Sequence, residues 1–286
     1  MSASPAVPPT ALVIGAVASV QVGASVAKGL FDDVGPGGTV LLRMAFAAML
    51  LAAIWRPRVR GRARGEWALT AAFGLSLAGM NFAFYAALDR VPLGVAVTLE
   101  FAGPLAVAVA GSRHALDLLW VVLAAGGILL LADLSGGGTD PLGMALALLA
   151  GAFWAAYIML SARVGRTFPG GGGLAMAMVL GSAMLLPFGA VQGGSELADA
   201  DVLAVGAAVA LLSSAIPYSL ELEALRRLPA RVFGVLMSLE PAMAALAGLV
   251  VLGEVLGERE IAAIALVMIA SAGAARTAGG GPPPRD

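Results

Sequence analysis

The sequence has no cysteine, one histidine and one lysine, and charged residues fill only 12% of its 286 positions. The missing cysteines exclude disulfides, thiol nucleophiles and thiolate metal sites. A lone histidine, His114 beside Arg113, cannot build a histidine metal cluster and reads as a solvated loop residue. A net charge of −1 leaves no basic footprint for nucleic acid. No HExxH, nucleophile elbow or P-loop is present. The glycine runs at 135–138 and 170–173 lack the Lys-Ser/Thr that a phosphate loop needs, so they read as linkers. These absences argue against an enzyme, a metal centre or a bound cofactor. The first ten residues lack the basic region of a cleaved leader, so the first apolar run is expected to be retained.

What remains is apolar. Soluble domains carry about 25% charged residues; half that share, with 60% hydrophobic residues and a mean hydropathy of +0.93, implies an all-α integral membrane protein. A bilayer core takes about 20 apolar residues per helix. Splitting the chain at charges and Gly/Pro clusters yields ten expected spans, at 11–30, 38–55, 67–88, 91–111, 116–132, 142–162, 174–191, 202–222, 231–252 and 260–276. The loops orient them. If "RPRVRGRARG" is cytoplasmic, so are Arg113, Arg163, Arg166, Arg226, Arg227, Arg231, Arg276 and Arg285, and thirteen of the seventeen cations share one side. This is the positive-inside pattern, with both termini cytoplasmic, and Trp55, Trp67 and Trp120 then stand at cytoplasmic helix ends.

An offset of 137 aligns Arg90, Pro92, Pro104 and Gly111 with Arg227, Pro229, Pro241 and Gly248. Near the start, an offset of 136 aligns Gly15, Ser25 and Gly35 with Gly151, Ser161 and Gly171. The expected organisation is a tail at 1–10, a five-helix repeat at 11–137, a second at 138–276 and a disordered tail at 277–286. Five is odd, so the second copy is inverted. Inverted repeats mark secondary transporters, whose substrate sites lie near the midplane.

Two carboxylates fall mid-span, Glu100 and Glu240, three residues apart in the aligned frame. A charge at a helix centre costs about 2.5–3.5 kcal/mol on insertion scales, so such groups face a cavity or a partner. They are candidates for proton coupling or for binding an ammonium, or else they tie helices together. Arg43 and Lys28 are candidates for a substrate carboxylate. Gln21, Ser25, Asn81, Trp154, Tyr157, Ser213 and Tyr218 are candidate cavity residues, the polar ones having helix-to-helix hydrogen bonding as their alternative role. Pro104, Pro217 and Pro241 remove the amides that would bond the carbonyls of Glu100, Ser213 and Met237, and breaks of this kind line cavities.

The segments "SVQVGASVAKGLF" (19–31), "GLSLAGMNFAFYAAL" (74–88), "VPLGVAVTLEFAGPLAVAV" (91–109) and "PYSLELEALRRLPARVFGVLMSLEPAMAAL" (217–246) resemble the EamA type of the drug/metabolite transporter superfamily, and within it the amino-acid exporters. The resemblance spans residues 11 to about 275. It implies an inner-membrane exporter of threonine- or homoserine-like amino acids, exchanging them against protons, with helix pairs 3–4 and 8–9 rocking. Here "LEFAGP" separates Glu100 from its proline, whereas Glu240 and Pro241 are adjacent, so the halves need not share one role. Export of another small metabolite or a drug is the alternative. A sensor or structural membrane protein is a second one, though neither role calls for two midplane carboxylates.

Overall fold

The computed structural model describes residues 8–57, 60–110, 115–131, 140–168, 170–225, 228, 233 and 236–278. Among them there are helices and no strands, as a bilayer requires of a chain whose backbone groups must be paired within each segment. The α-helices are α1 (Pro9–Lys28), α2 (Phe31–Trp55), α3 (Arg64–Leu88), α4 (Leu93–Glu100), α5 (Ala102–Ala110), α6 (Ala115–Leu131), α7 (Pro141–Thr167), α8 (Gly172–Gly193), α9 (Ala200–Ala210), α10 (Ile216–Leu225), α11 (Glu240–Ala247) and α12 (Glu258–Ala278). Single π-turns follow α9, at Leu211–Ala215, and α11, at Gly248–Leu252.

By length and composition, α1, α2, α3, α7 and the Gly172–Ala198 segment can each cross a membrane; shorter apolar helical runs cover Leu93–Val107, Leu118–Leu131, Ala200–Ala215 and Glu240–Leu252. Starts and stops follow local chemistry. Proline stands at the first turn of α1 and α7, where its missing amide costs nothing. Asp140 and Asp199 cap α7 and α9 through their side chains, and α2 ends on a left-handed Arg56.

Three spans are bent or broken, the fourth and eighth of them ahead of the prolines that mark them, Pro104 and Pro217. The second begins at Phe31 rather than residue 38 and bends at Gly35, whose φ of 66° precedes Pro36. The fourth is cut in two at Phe101, directly after Glu100. The eighth carries the π-turn ahead of Pro217. The expectations for His114, for Arg113, Arg226, Arg227 and Arg231, for the 135–138 linker and for the C-terminal tail lie outside the described residues.

The bundle packs α2 along α8, α3 against α7 and α8, and α6 against α12. Helix α1 lies on α10 and α11; α2 touches α9; α4 meets both α7 and α11. One core runs through this contact set. It includes Met44, Leu77, Tyr85, Leu93 and Leu99, each at most 1% exposed. The broken helices α4, α9–α10 and α11 converge with α1, α2, α3 and α7 around the midpoint, and the cavity forms there.

Candidate functional site: a polar cavity between broken helices

Each break frees a backbone carbonyl, and two of those carbonyls have identifiable surroundings. Proline at 217 denies Ser213 its helical donor, and the Arg43 guanidinium supplies one: Nη2 donates to the Ser213 carbonyl at 3.2 Å. Arg43 Nη1 donates to the Tyr85 hydroxyl, also at 3.2 Å, and the guanidinium lies 5.5 Å from the Tyr85 ring centroid. Ser19 of α1 donates to the neighbouring Leu212 carbonyl at 2.7 Å. Helix α1 comes this close because residue 23 is glycine; a Cβ there would collide with the Ser213 hydroxyl. The π-turn is thus fixed from two sides, by α1 and α2.

At the Glu100 break the approach is backbone on backbone. A Cβ on Gly151 of α7 would sit 2.6 Å from the Glu100 carbonyl oxygen, and one on Gly103 would collide with the Gly151 carbonyl. Two glycines therefore let α7 press on the point where α4 stops. Glu240 is placed differently. It is the first residue of α11, with Pro241 in the first turn, where proline leaves no helical bond unmade.

These elements enclose a cavity of about 170 Å³. Its lining brings together Gln21, Arg43, Asn81, Glu100, Trp154, Tyr157, Ser213 and Glu240, eight of the residues singled out from the sequence. Glu100 and Glu240 are both buried. Arg43 is the cation whose field reaches Glu100, whereas Glu240 faces the fields of two acids, Glu221 and Glu100. Asn81 donates its amide to the Leu77 carbonyl of its own helix at 2.8 Å. Trp154 packs edge-on to Phe101, and Tyr157 stacks on Phe73. Two buried polar atoms of the lining, Gln21 Oε1 and Ser213 Oγ, have no hydrogen-bond partner among the described residues.

Other expected residues stand elsewhere. Lys28 is not in the lining: its Nζ donates to Glu254 Oε1 at 2.6 Å, and Glu254 Oε2 accepts from the Leu93 amide that opens α4, at 2.9 Å. One carboxylate thereby joins the ends of α1 and α4 to the turn after α11. Ser25 is buried and donates to the Gln21 carbonyl at 2.9 Å, a bond within α1. The Tyr218 side chain lies outside the described residues. Pro104 and Pro217 stand next to the cavity rather than in its wall.

Sequence reasoning missed Glu221, a third carboxylate in the lining, and Tyr85, which anchors Arg43. Glu221 was findable: it follows Pro217 by four residues and still falls within an expected span, where an acid carries a cost. Tyr85 carries no such signal, because an aromatic near a helix end reads as packing. Among the described residues, no cluster of His, Cys, Asp or Glu is arranged to hold a metal ion.

The sequence matches the EamA-like transporter family over residues 141–276. It is 44% identical over 271 residues to the threonine/homoserine exporter RhtA of Salmonella typhimurium (strain LT2) and to that of Escherichia coli (strain K12), covering 94% of this chain and 92% of each relative. A solved crystal structure only 17% identical shares the fold, with a TM-score of 0.63 over 93% of this chain and 96% of that one.

Proposed function

The chain belongs to the EamA-like transporter family, and from that premise we propose that it exports small hydroxylated amino acids, such as threonine or homoserine, across the bacterial cytoplasmic membrane in exchange for protons. The observation that carries this reading is one cavity holding a guanidinium and three carboxylates. A zwitterion needs an anion receptor and a cation receptor a few ångströms apart. Arg43, held by Tyr85 and the Ser213 carbonyl, receives the carboxylate; Glu240 with Glu221, which act on each other as like charges, receives the ammonium. A proton and an ammonium compete for the same carboxylates. Loading one cation then requires releasing the other, and this exclusion couples the two flows. The volume of about 170 Å³ suits an amino acid; drug-sized ligands occupy pockets of about 300–1,000 Å³.

The wider architecture in this reading is ten spans in two inverted five-helix repeats, residues 11–137 and 138–276, with both termini cytoplasmic. The charge asymmetry of the loops supports it. So does the packing. Exchanging the halves turns the α3–α7 contact into α10–α1, α3–α8 into α9–α2, and α4–α7 into α11–α1, and returns α2–α8, α4–α11 and α6–α12 to themselves; all of these contacts are present. A reporter fused after Asp286 is expected to read cytoplasmic, and an external readout would overturn the inversion.

The test of function is uptake by proteoliposomes containing the purified protein. Labelled threonine and homoserine are expected to accumulate when a pH gradient is imposed and to equilibrate without one. Equilibration under both conditions would remove proton exchange and leave a uniporter. No uptake of either amino acid by folded, inserted protein would remove the substrate class.

A further inference from the structure

The charged groups account for the two ends of an amino acid, and they leave Gln21 and Ser213 unused. Both residues are 2% exposed, both line the cavity, and each holds an oxygen without a hydrogen-bond partner among the described residues, Gln21 Oε1 and Ser213 Oγ. Buried polar atoms are almost always paired, so an unpaired one in a cavity wall points to a ligand. Two in the same wall strengthen that inference.

Their chemistry narrows the ligand. An amide oxygen only accepts, so Gln21 Oε1 needs a donor; a serine hydroxyl both donates and accepts. An amino acid brings donors on its ammonium and, for some side chains, on a hydroxyl. The ammonium gains most from the carboxylates, because charge-assisted hydrogen bonds are about twice as strong as neutral ones. The donor left for Gln21 is a hydroxyl.

Position agrees. The Ser213 carbonyl is bonded to Arg43, which places its hydroxyl beside the receptor for the substrate's carboxylate. Gln21 lies on α1, the helix whose Gly23 packs on that same serine. Both residues are held in place. The π-turn carrying Ser213 is fixed by Ser19 and Arg43, and the Gln21 carbonyl is bonded by Ser25.

Resting on the export reading above, we propose that Gln21 and Ser213 form the subsite that recognises the side-chain hydroxyl of the substrate. Selectivity then follows from what an analogue leaves unpaired. Valine has the shape of threonine with a methyl in place of the hydroxyl, and norvaline stands in the same relation to homoserine. A site built to hydrogen-bond a hydroxyl rejects such isosteres, because its own buried atoms stay unsatisfied.

The experiment compares initial uptake of threonine with valine, and of homoserine with norvaline, in proteoliposomes of the full chain. The wild type is expected to favour the hydroxylated member of each pair by about 10- to 100-fold. Gln21→Met and Ser213→Ala are expected to bring that ratio towards one, chiefly by slowing the hydroxylated substrate. A purely structural role would slow both members equally and leave the ratio intact, and that result in both variants would overturn the proposal. Equal uptake of threonine and valine by the wild type would overturn it without any variant. Uptake of none of the four would instead overturn the amino-acid reading, and the subsite with it.

Discussion

Glu100 and Glu240 both line the cavity beside a break in a helix, yet their surroundings differ. Glu100 closes a helical segment; Glu240 opens one. Glu100 has Arg43 as its charge neighbour, and its backbone is pressed by the Gly103–Gly151 contact with α7. Among the described residues, the charges acting on Glu240 are those of other acids, Glu221 and Glu100. Two acids of one cavity thus need not do the same work. In the proposed mechanism the acid beside a cation serves the wall, and the acid among acids takes the mobile cation.

The sharpest way to break this comparison is to neutralise each acid in turn. Glu240→Gln is expected to lower proton-driven uptake of threonine by on the order of 100-fold, with normal expression and insertion. Glu100→Gln is expected to cost only about tenfold, or roughly 1.4 kcal/mol. Equal losses in the same proteoliposome assay would erase the distinction between the two acids.

Arg43→Ala comes next. It leaves the Ser213 carbonyl without its Arg43 donor and removes the proposed receptor for the substrate's carboxylate. The half-saturation concentration for threonine is expected to rise about tenfold, and inhibition by the matching amine without a carboxylate to change much less. A parallel loss for both compounds would make Arg43 structural.

Gly151→Ala probes the wall itself. The added methyl meets the Glu100 carbonyl oxygen at 2.6 Å, so α7 or the break must shift. Overpacking of this kind costs about 1–3 kcal/mol, readable as a lower melting temperature in detergent. Gly165→Ala on the same helix meets nothing within 4 Å and is expected to be neutral or slightly stabilising.

The smallest effect lies at the membrane surface. The Arg90 guanidinium and the Leu142 amide hold the Asp140 carboxyl below its ordinary value of about 3.9. A carboxyl lowered in the folded state stabilises above its unfolded pKa, and that contribution fades as pH falls through the folded one. Asp140→Asn is therefore expected to flatten the acid limb of stability below about pH 4, because the small contribution of the charged carboxyl is lost at neutral pH while the acid end stays where it was.

Much of this was legible in the residues. Apolar runs of 18 to 22 residues marked α1, α2, α3, α7 and α8, since few other structures suit such runs. Pro217 marked the Ser213 carbonyl as free, and Arg43 was visible as an unusual cation. Their meeting was not legible, because no local pattern links residues 170 positions apart. The same holds for Lys28, read as a substrate contact and found bonded to Glu254. The break in helix four was marked by Pro104, which denies the Glu100 carbonyl its donor; that α7 presses on it through Gly103 and Gly151 was not legible, because that contact is a tertiary fact. Glu221 was passed over because "LEL" at the end of a span resembles the border of a loop.

The Lys28–Glu254 pair bears on how the protein is made. Its partners are 226 residues apart, and the same carboxylate bonds the start of α4. At synthesis rates of about 5–20 residues per second, α1 and α4 wait on the order of 10–45 seconds before their common fastener leaves the ribosome. Until then the first helices sit in the bilayer with that end untied. The bundle closes there only when its last quarter arrives, so an incomplete chain lacks the means to fasten itself.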